Sequence, residues 1–464
     1  QMKWITDYQY VRGINLLVLS NYPVSKDNWL LGALRPMFGP ENPFWNYMDN
    51  YHGYLARLGY LLSLGKADVK TAVYYPVRDI WAGGPDVEAI CVANDELVKT
   101  LLENQCDFDF IDDDILENDD TEISNGNLMI GSMCYNTICL SQNRFMSDKS
   151  ISRLEKFISG GGRIFLIDDS NSGINKPKGV KTVTLSDISS FLTPTVALES
   201  PNVNIRVCKR TLSDCSIYFV TNEDSLATSC KLQFKESDNL IQLDPETGEC
   251  LTPVNAIRTS EGWELPLHLN FAGSAVIIFS NQSYPLSAAP AFSDEEIRTL
   301  SEGWTFRKVR EFVVTGDDLE VRELTSEKHV NISLGDWREV VGNIYSGDVE
   351  YEVRFKCPVS VKNSAEILDL GDVRYACQVS LNGEQLGKKL WKPYAYNIKG
   401  KIKGGDNILK VIVTNSLANQ YVYTNKLDKW PEVKLGPYHS RQLVFEKESV
   451  ASGLFGPVTI KKTR

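Results

Sequence analysis

Lys156-Phe157-Ile158-Ser159-Gly160-Gly161-Gly162-Arg163-Ile164-Phe165-Leu166-Ile167 runs from the end of an amphipathic segment, through three glycines, into a stretch apolar on both faces. The first part reads as the end of a helix over about 148–159, and the last as a buried strand over 163–167. A strand apolar on both sides belongs inside a parallel sheet with helices on each face. The same alternation continues upstream. Val69 to Tyr75 reads as a strand, about 92–105 as a helix, and Cys106 to Ile111 and Asn136 to Leu140 as further strands. Residues 67–194 are therefore expected to form a doubly wound, flavodoxin-like α/β domain, with 163–167 as its last buried strand.

Before this unit, Ile14-Asn15-Leu16-Leu17-Val18-Leu19 has the pattern of another buried strand. Tyr51, Tyr54, Leu55, Leu58, Leu61 and Leu62 place one apolar stripe on a helix of about 44–64, with Gly65 as its cap. The intervening loop is rich in Pro, Gly, Trp and Asn, and a loop that long is usually functional. Beyond about 195 the helical period gives way to alternating strands. Asp244 to Gly248, Asn382-Gly383 and Gly404 to Asn407 are expected as hairpin turns. Two β-sandwiches fit, at 195–290 and 291–464, with Ser283 to Pro290 as the linker.

Composition narrows the function. Hydrophobic residues make up 42% of the 464 and charged residues 23%, the profile of a globular chain. A formal charge of −11 opposes a nucleic-acid partner, and no apolar run approaches the roughly 20 residues of a membrane span. The ten cysteines include no C-x-x-C pair and the four histidines no metal-type spacing. Buried free thiols and no metal site are expected. Ten carboxylates between Glu103 and Glu122 read as a solvated acidic face, since the EF-hand glycine is absent. The parallel-sheet unit lacks a glycine-rich phosphate turn and a nucleophile elbow, so its expected role is structural.

The loop between the first strand and the helix is the best small-molecule candidate. Its Asn21, Tyr22, Trp29, Phe44, Trp45 and Tyr47 combine aromatic faces with amides, a mixture suited to sugars. The competing reading has these rings packing the loop onto its own domain. Trp391-Lys392-Pro393-Tyr394-Ala395-Tyr396 could form a second sugar platform, but after the Asn382-Gly383 hairpin it reads as a core strand.

The C-terminal motifs form an ordered series. It comprises Tyr345-Ser346-Gly347-Asp348-Val349-Glu350-Tyr351, Leu368-Asp369-Leu370-Gly371-Asp372-Val373, Val379-Ser380-Leu381-Asn382-Gly383, Gly405-Asp406-Asn407 with Val413-Thr414-Asn415, and Ser452-Gly453-Leu454-Phe455-Gly456-Pro457-Val458. This series resembles the galactose-binding-like jelly roll of bacterial glycoside hydrolases related to family 106, the α-L-rhamnosidases. A similar domain is the sugar-binding domain of the β-galactosidase/β-glucuronidase family. Asp107 to Ile111 with Ile158 to Arg163 resembles the flavodoxin-like domain of such enzymes. Asp7 to Asn15 with Tyr54 to Leu58 resembles the end of their (β/α)8 barrel.

The resemblance implies four parts: a barrel remnant at 1–66, the flavodoxin-like domain, a small sandwich and a jelly roll. A full barrel takes about 250 residues, so the catalytic carboxylates are expected upstream of this chain. Asn21, Tyr22, Trp29 and Trp45 would then be substrate-binding residues at the catalytic rim. Carbohydrate is the implied partner, with no cofactor, although a structural calcium cannot be derived from these residues. The missing part would come from the same polypeptide or from an oligomer partner. A bacterial periplasmic or extracellular setting is implied. Ser20-Asn21-Tyr22-Pro23 lacks the family's histidine, which weighs against rhamnose specificity. The alternative is a non-catalytic carbohydrate-binding or scaffold protein.

Overall fold

The computed structural model describes residues 2–19, 38–167, 176–288, 295–315, 318–325, 328–359, 365–424 and 450–462. The chain has a multidomain α/β plus all-β fold, divided into two compact units. One contains residues 1–15 and 57–289, the other residues 16–56 and 290–464.

The first unit contains a five-stranded parallel sheet in the order Phe108–Ile111, Thr71–Tyr74, Thr137–Leu140, Arg163–Ile167, Lys181–Val183. Numbered by position in the chain, this is the flavodoxin-type order 2-1-3-4-5. Lys181–Val183 pairs beyond Arg163–Ile167 as a mostly exposed edge strand, so Arg163–Ile167 is the last buried one. Ala72, Val73, Ile138, Cys139 and Leu140 have no exposed surface, since separate apolar clusters cover the two faces of the sheet.

The helix Asp148–Ser159 starts where Ser147 accepts the Ser150 N–H at 3.0 Å. It buries Leu154 and Phe157, and the glycine turn then brings the chain back beneath it. A β-carbon on Gly162 would lie 2.5 Å from the Phe157 ring, so only glycine lets strand and helix approach this closely.

A small antiparallel sheet of Glu122–Ser124, Asn127–Ile130 and Met133–Tyr135 follows the second strand of the parallel sheet in the chain, and two larger antiparallel sheets complete this unit. One has seven strands, in the order Lys66–Ala67, Ile205–Thr211, Cys215–Asn222, Ser274–Ser280, Asn239–Leu243, Cys250–Thr252, Ser287–Ala288. The other orders Ala197–Leu198, Thr228–Phe234, Trp263–Leu269 and Ile257–Arg258. Val220, Leu232, Ile277 and Phe279 lie in their shared core. Part of the expected linker is therefore structured: Ser287–Ala288 pairs in parallel with Cys250–Thr252. The helix Met2–Tyr10 is fastened here through Lys3, which bonds Asp7 at 2.5 Å and the Ala272 carbonyl at 2.8 Å.

The expected strand Ile14 to Leu19 does not form. These residues pair with no strand among the described residues, and Leu16 and Val18 are 76% and 88% exposed. A strand exists only when a neighbour takes its backbone groups, so an apolar run without one stays irregular.

The second unit is antiparallel. Its larger sheet orders Asp318–Glu323, Trp304–Thr315, Gly347–Cys357, Gly405–Thr414, Ala376–Leu381 and Glu384–Lys389, with Val330–Asn331 also on Trp304–Thr315. The smaller orders Glu296–Thr299, Thr459–Lys461, Ile367–Asp369 and Ala395–Asn397. Trp304, Trp337, Tyr351, Leu409, Val411 and Ile460 lie in the core of this unit.

Two hairpin expectations hold. Gly248 N–H bonds the Asp244 carbonyl at 2.7 Å, and Asn382-Gly383 takes φ of 55° and 87° between paired strands. Gly404 to Asn407 is no tight hairpin. Gly405 already begins the long strand that pairs with Cys357, so its ladder bonds outweigh the local turn preference.

Candidate functional site

Trp45 is the one predicted binding residue whose position is described. Asn21, Tyr22 and Trp29 lie outside the described residues. Trp45 opens a one-turn 3-10 helix, Trp45–Tyr47, ahead of the helix Met48–Ser63. Asn42 builds the entry. Its side-chain oxygen accepts the Phe44 N–H at 2.9 Å, and its carbonyl accepts the Trp45 N–H at 2.9 Å. Trp45 is left 38% exposed.

Two residues on, Tyr47 points the other way. It is 3% exposed, and its hydroxyl lies 2.9 Å from Thr414 Oγ1. Thr414 donates to Asp348 Oδ1 at 2.7 Å, and Arg310 pairs with Asp348 Oδ2 at 2.9 Å. Burial pushes the Asp348 carboxyl up from its usual value, while Arg310 and then the Thr414 hydroxyl pull it back. Burial also raises the Tyr47 phenol, so the ring stays neutral and able to donate. Lys388 adds a surface clamp, with Nζ 2.5 Å from the Asn46 carbonyl and 3.5 Å from Asp49.

The aromatic loop thus divides between its two readings. Tyr47 packs the segment down, and Trp45 remains presented. Trp391 sits outside the strand Ala395–Asn397, so the expected core strand is shorter than 391–396. Its indole, half-buried, meets the rings of Tyr51 and Tyr54 edge-on at 6.4 and 5.4 Å, which ties it to the segment that follows the aromatic loop.

The acidic stretch is not uniformly solvated. Asp114, Asp119, Asp120 and Glu122 are exposed, but Asp113 has no exposed surface. Asp113 accepts from the Tyr74 hydroxyl at 2.7 Å, Ser150 Oγ at 2.5 Å and the Ser147 N–H at 3.2 Å, with Arg78 Nε 3.3 Å away. Asp79, equally buried, accepts the Arg144 N–H at 2.8 Å. A carboxylate enters the interior only with such partners, and these two close the carboxyl ends of the sheet strands with structural polar contacts.

Sequence reasoning had no signal for Tyr47, Thr414, Asp348 and Arg310 acting together. Elsewhere, a depression of about 400 Å³ is lined in part by Asp214, Asp238, Asn281 and Gln282. Its amides are spent on its own carboxylates, Asn281 on Asp238 and Gln282 on Asp214, each at 2.6 Å. Among the described residues no group of three His, Cys, Asp or Glu could hold a metal ion, and no helix is long and apolar enough to cross a membrane.

No family model matches the chain. A curated protein of Formosa agariphila named "Putative beta-glucuronidase" is 32% identical over 140 residues, covering 25% of this chain and 12% of that protein. Among solved structures, the rhamnosidase from Novosphingobium sp. PP1Y superposes with a TM-score of 0.68 at 18% identity, over 99% of this chain and 45% of its own. The chain therefore spans less than half the length of either. Along almost all of its own length, it has the fold of part of a rhamnosidase, a multidomain glycoside hydrolase-like architecture.

Proposed function

We propose that this chain is the C-terminal portion of a glycoside hydrolase of α-L-rhamnosidase-like type, acting on glycosidic bonds of plant or host glycans outside the bacterial cytoplasm. The likeness of fold over 99% of the chain carries this reading. Residues 1–66 then correspond to the end of a barrel, whose strand Ile14 to Leu19 does not form in this chain, 67–194 and 195–290 form the connecting domains, and 291–464 is the jelly roll. The general acid and base are carboxylates outside this chain, on the same polypeptide or a partner. Asn21, Tyr22, Trp29 and Trp45 contribute to the sugar subsite, where an indole face stacks on the apolar face of a pyranose.

Saturation-transfer NMR with methyl α-L-rhamnoside and methyl β-D-glucuronide tests the subsite on the chain itself. Transfer to the rhamnoside, weakened two- to tenfold in Kd by Trp45→Ala, is the expected result, about 0.5–1.5 kcal/mol for one aromatic contact. Absence of transfer to both glycosides, or indifference to Trp45→Ala, would overturn it.

A further inference from the structure

We propose that Arg310, Asp348, Thr414 and Tyr47 form a positioning row, through which the jelly-roll sheet fixes the Trp45 indole for a sugar ring. This rests on the reading of Trp45 as a sugar contact.

Three of the four residues occupy one cross-strand line. Arg310 faces Asp348 and Asp348 faces Thr414 in adjacent registers of the large sheet. The fourth comes from far away in sequence, 367 residues before Thr414. Burial makes the line selective: Thr414 is 0%, Tyr47 3% and Asp348 7% exposed. Water cannot readily substitute for a missing member.

The polarity of the line is fixed as well. Thr414 gives its hydroxyl proton to Asp348 Oδ1, whose other oxygen lies 2.9 Å from Arg310. The Thr414 oxygen must then receive from Tyr47, and the Tyr47 hydroxyl has one direction in which to point. That direction sets the turn Trp45–Tyr47, whose backbone is held at Asn42 on one side and by Lys388 at the Asn46 carbonyl on the other. A rigid turn matters because an indole that must be ordered on binding loses affinity to that ordering. The sheet therefore acts on sugar through Trp45, without touching it.

Tyr47→Phe removes only the donor and keeps the ring. Thr414→Val removes the hydroxyl at nearly constant shape, and Thr414→Ser keeps it. Two readouts on the full chain separate the claims. With 5-fluorotryptophan labelling, the Trp45 fluorine resonance, assigned by Trp45→Phe, should shift and change width in Tyr47→Phe and Thr414→Val and return in Thr414→Ser. Affinity for methyl α-L-rhamnoside should fall three- to tenfold in the first two and recover in the third.

An unchanged Trp45 resonance in Tyr47→Phe overturns the positioning row, whatever the sugar does. A moved resonance with unchanged affinity, where Trp45→Ala does weaken binding, overturns the row's role in recognition. Affinity unaffected by Trp45→Ala overturns the sugar reading and the recognition claim together, while the fluorine signal still decides the geometry.

Discussion

Asp113 has no solvent to stabilise its carboxyl, yet four groups converge on it from three parts of the chain: Tyr74, Arg78, and the Ser147 and Ser150 pair. Asp113→Ala would leave the buried Tyr74 and Ser150 hydroxyls and the Ser147 N–H without this acceptor, while Arg78 keeps Glu117, at a cost of about 3 kcal/mol. Urea unfolding measures this, and a loss below about 1 kcal/mol would show the cluster to be dispensable. Asp107 behaves differently. Burial raises its carboxyl to about 7, with Asp109 adding to the rise and the Phe108 N–H opposing it. The folded-state value lies above the unfolded one of about 3.9, so folding favours the protonated form. Stability should fall as pH rises from about 4 to about 7 and level off beyond. Asp107→Asn should flatten that slope in denaturation series from pH 4 to 8. The exposure of Trp45 and the burial of Tyr47 mark the limit of local reading. Both were legible as aromatics in a polar loop, but the partner that separates them is Thr414, hundreds of residues away.

Among the elements, the Gly160-Gly161-Gly162 turn combines sequence and structural reasons most closely. The order helix, glycines, apolar run marks the passage from Asp148–Ser159 into Arg163–Ile167, and packing explains why the last glycine is needed. Gly162→Ala places a methyl group against the Phe157 ring and should cost about 1–3 kcal/mol by urea unfolding. An unchanged midpoint would mean that the ring moves freely aside. A comparable demand exists at Gly347, where a β-carbon would lie 1.9 Å from the Arg310 carbonyl. Ile14 to Leu19 failed as a strand for the opposite reason. Its apolar pattern is that of a strand, but pairing is a property of two segments, and no described segment supplies the second. Gly404 to Asn407 carries turn residues and still enters a strand, because ten register pairs with Gly347–Cys357 outweigh a local preference.

At the scale of the molecule, the ten cysteines are all free, spread through apolar and half-buried positions. Burial raises the Cys106, Cys139 and Cys377 thiols to about 12, keeping them protonated and unreactive near neutrality. Thermal unfolding with and without dithiothreitol should therefore coincide within about 1 °C. A drop of several degrees with reductant would reveal disulfide support. The parallel sheet and the antiparallel sheets were separable in the sequence because their hydrophobic periods differ, with helical repeats before about residue 195 and alternation after it. The addition of Lys66–Ala67 to the edge strand Ile205–Thr211 was not legible, since two residues carry no period.

The sequence by itself determined the alternation of strand and helix in the parallel-sheet unit and the change from that helix-covered sheet to antiparallel sheets. Those properties follow from local periods of 3.6 and 2 and from turn chemistry within a few residues. Only the tertiary structure decided which carboxylates are buried, which ring of the aromatic loop is presented, and that Trp391 meets Tyr51 and Tyr54. Burial and hydrogen-bond partnership depend on segments far apart in the chain, and no local pattern records which of them meet.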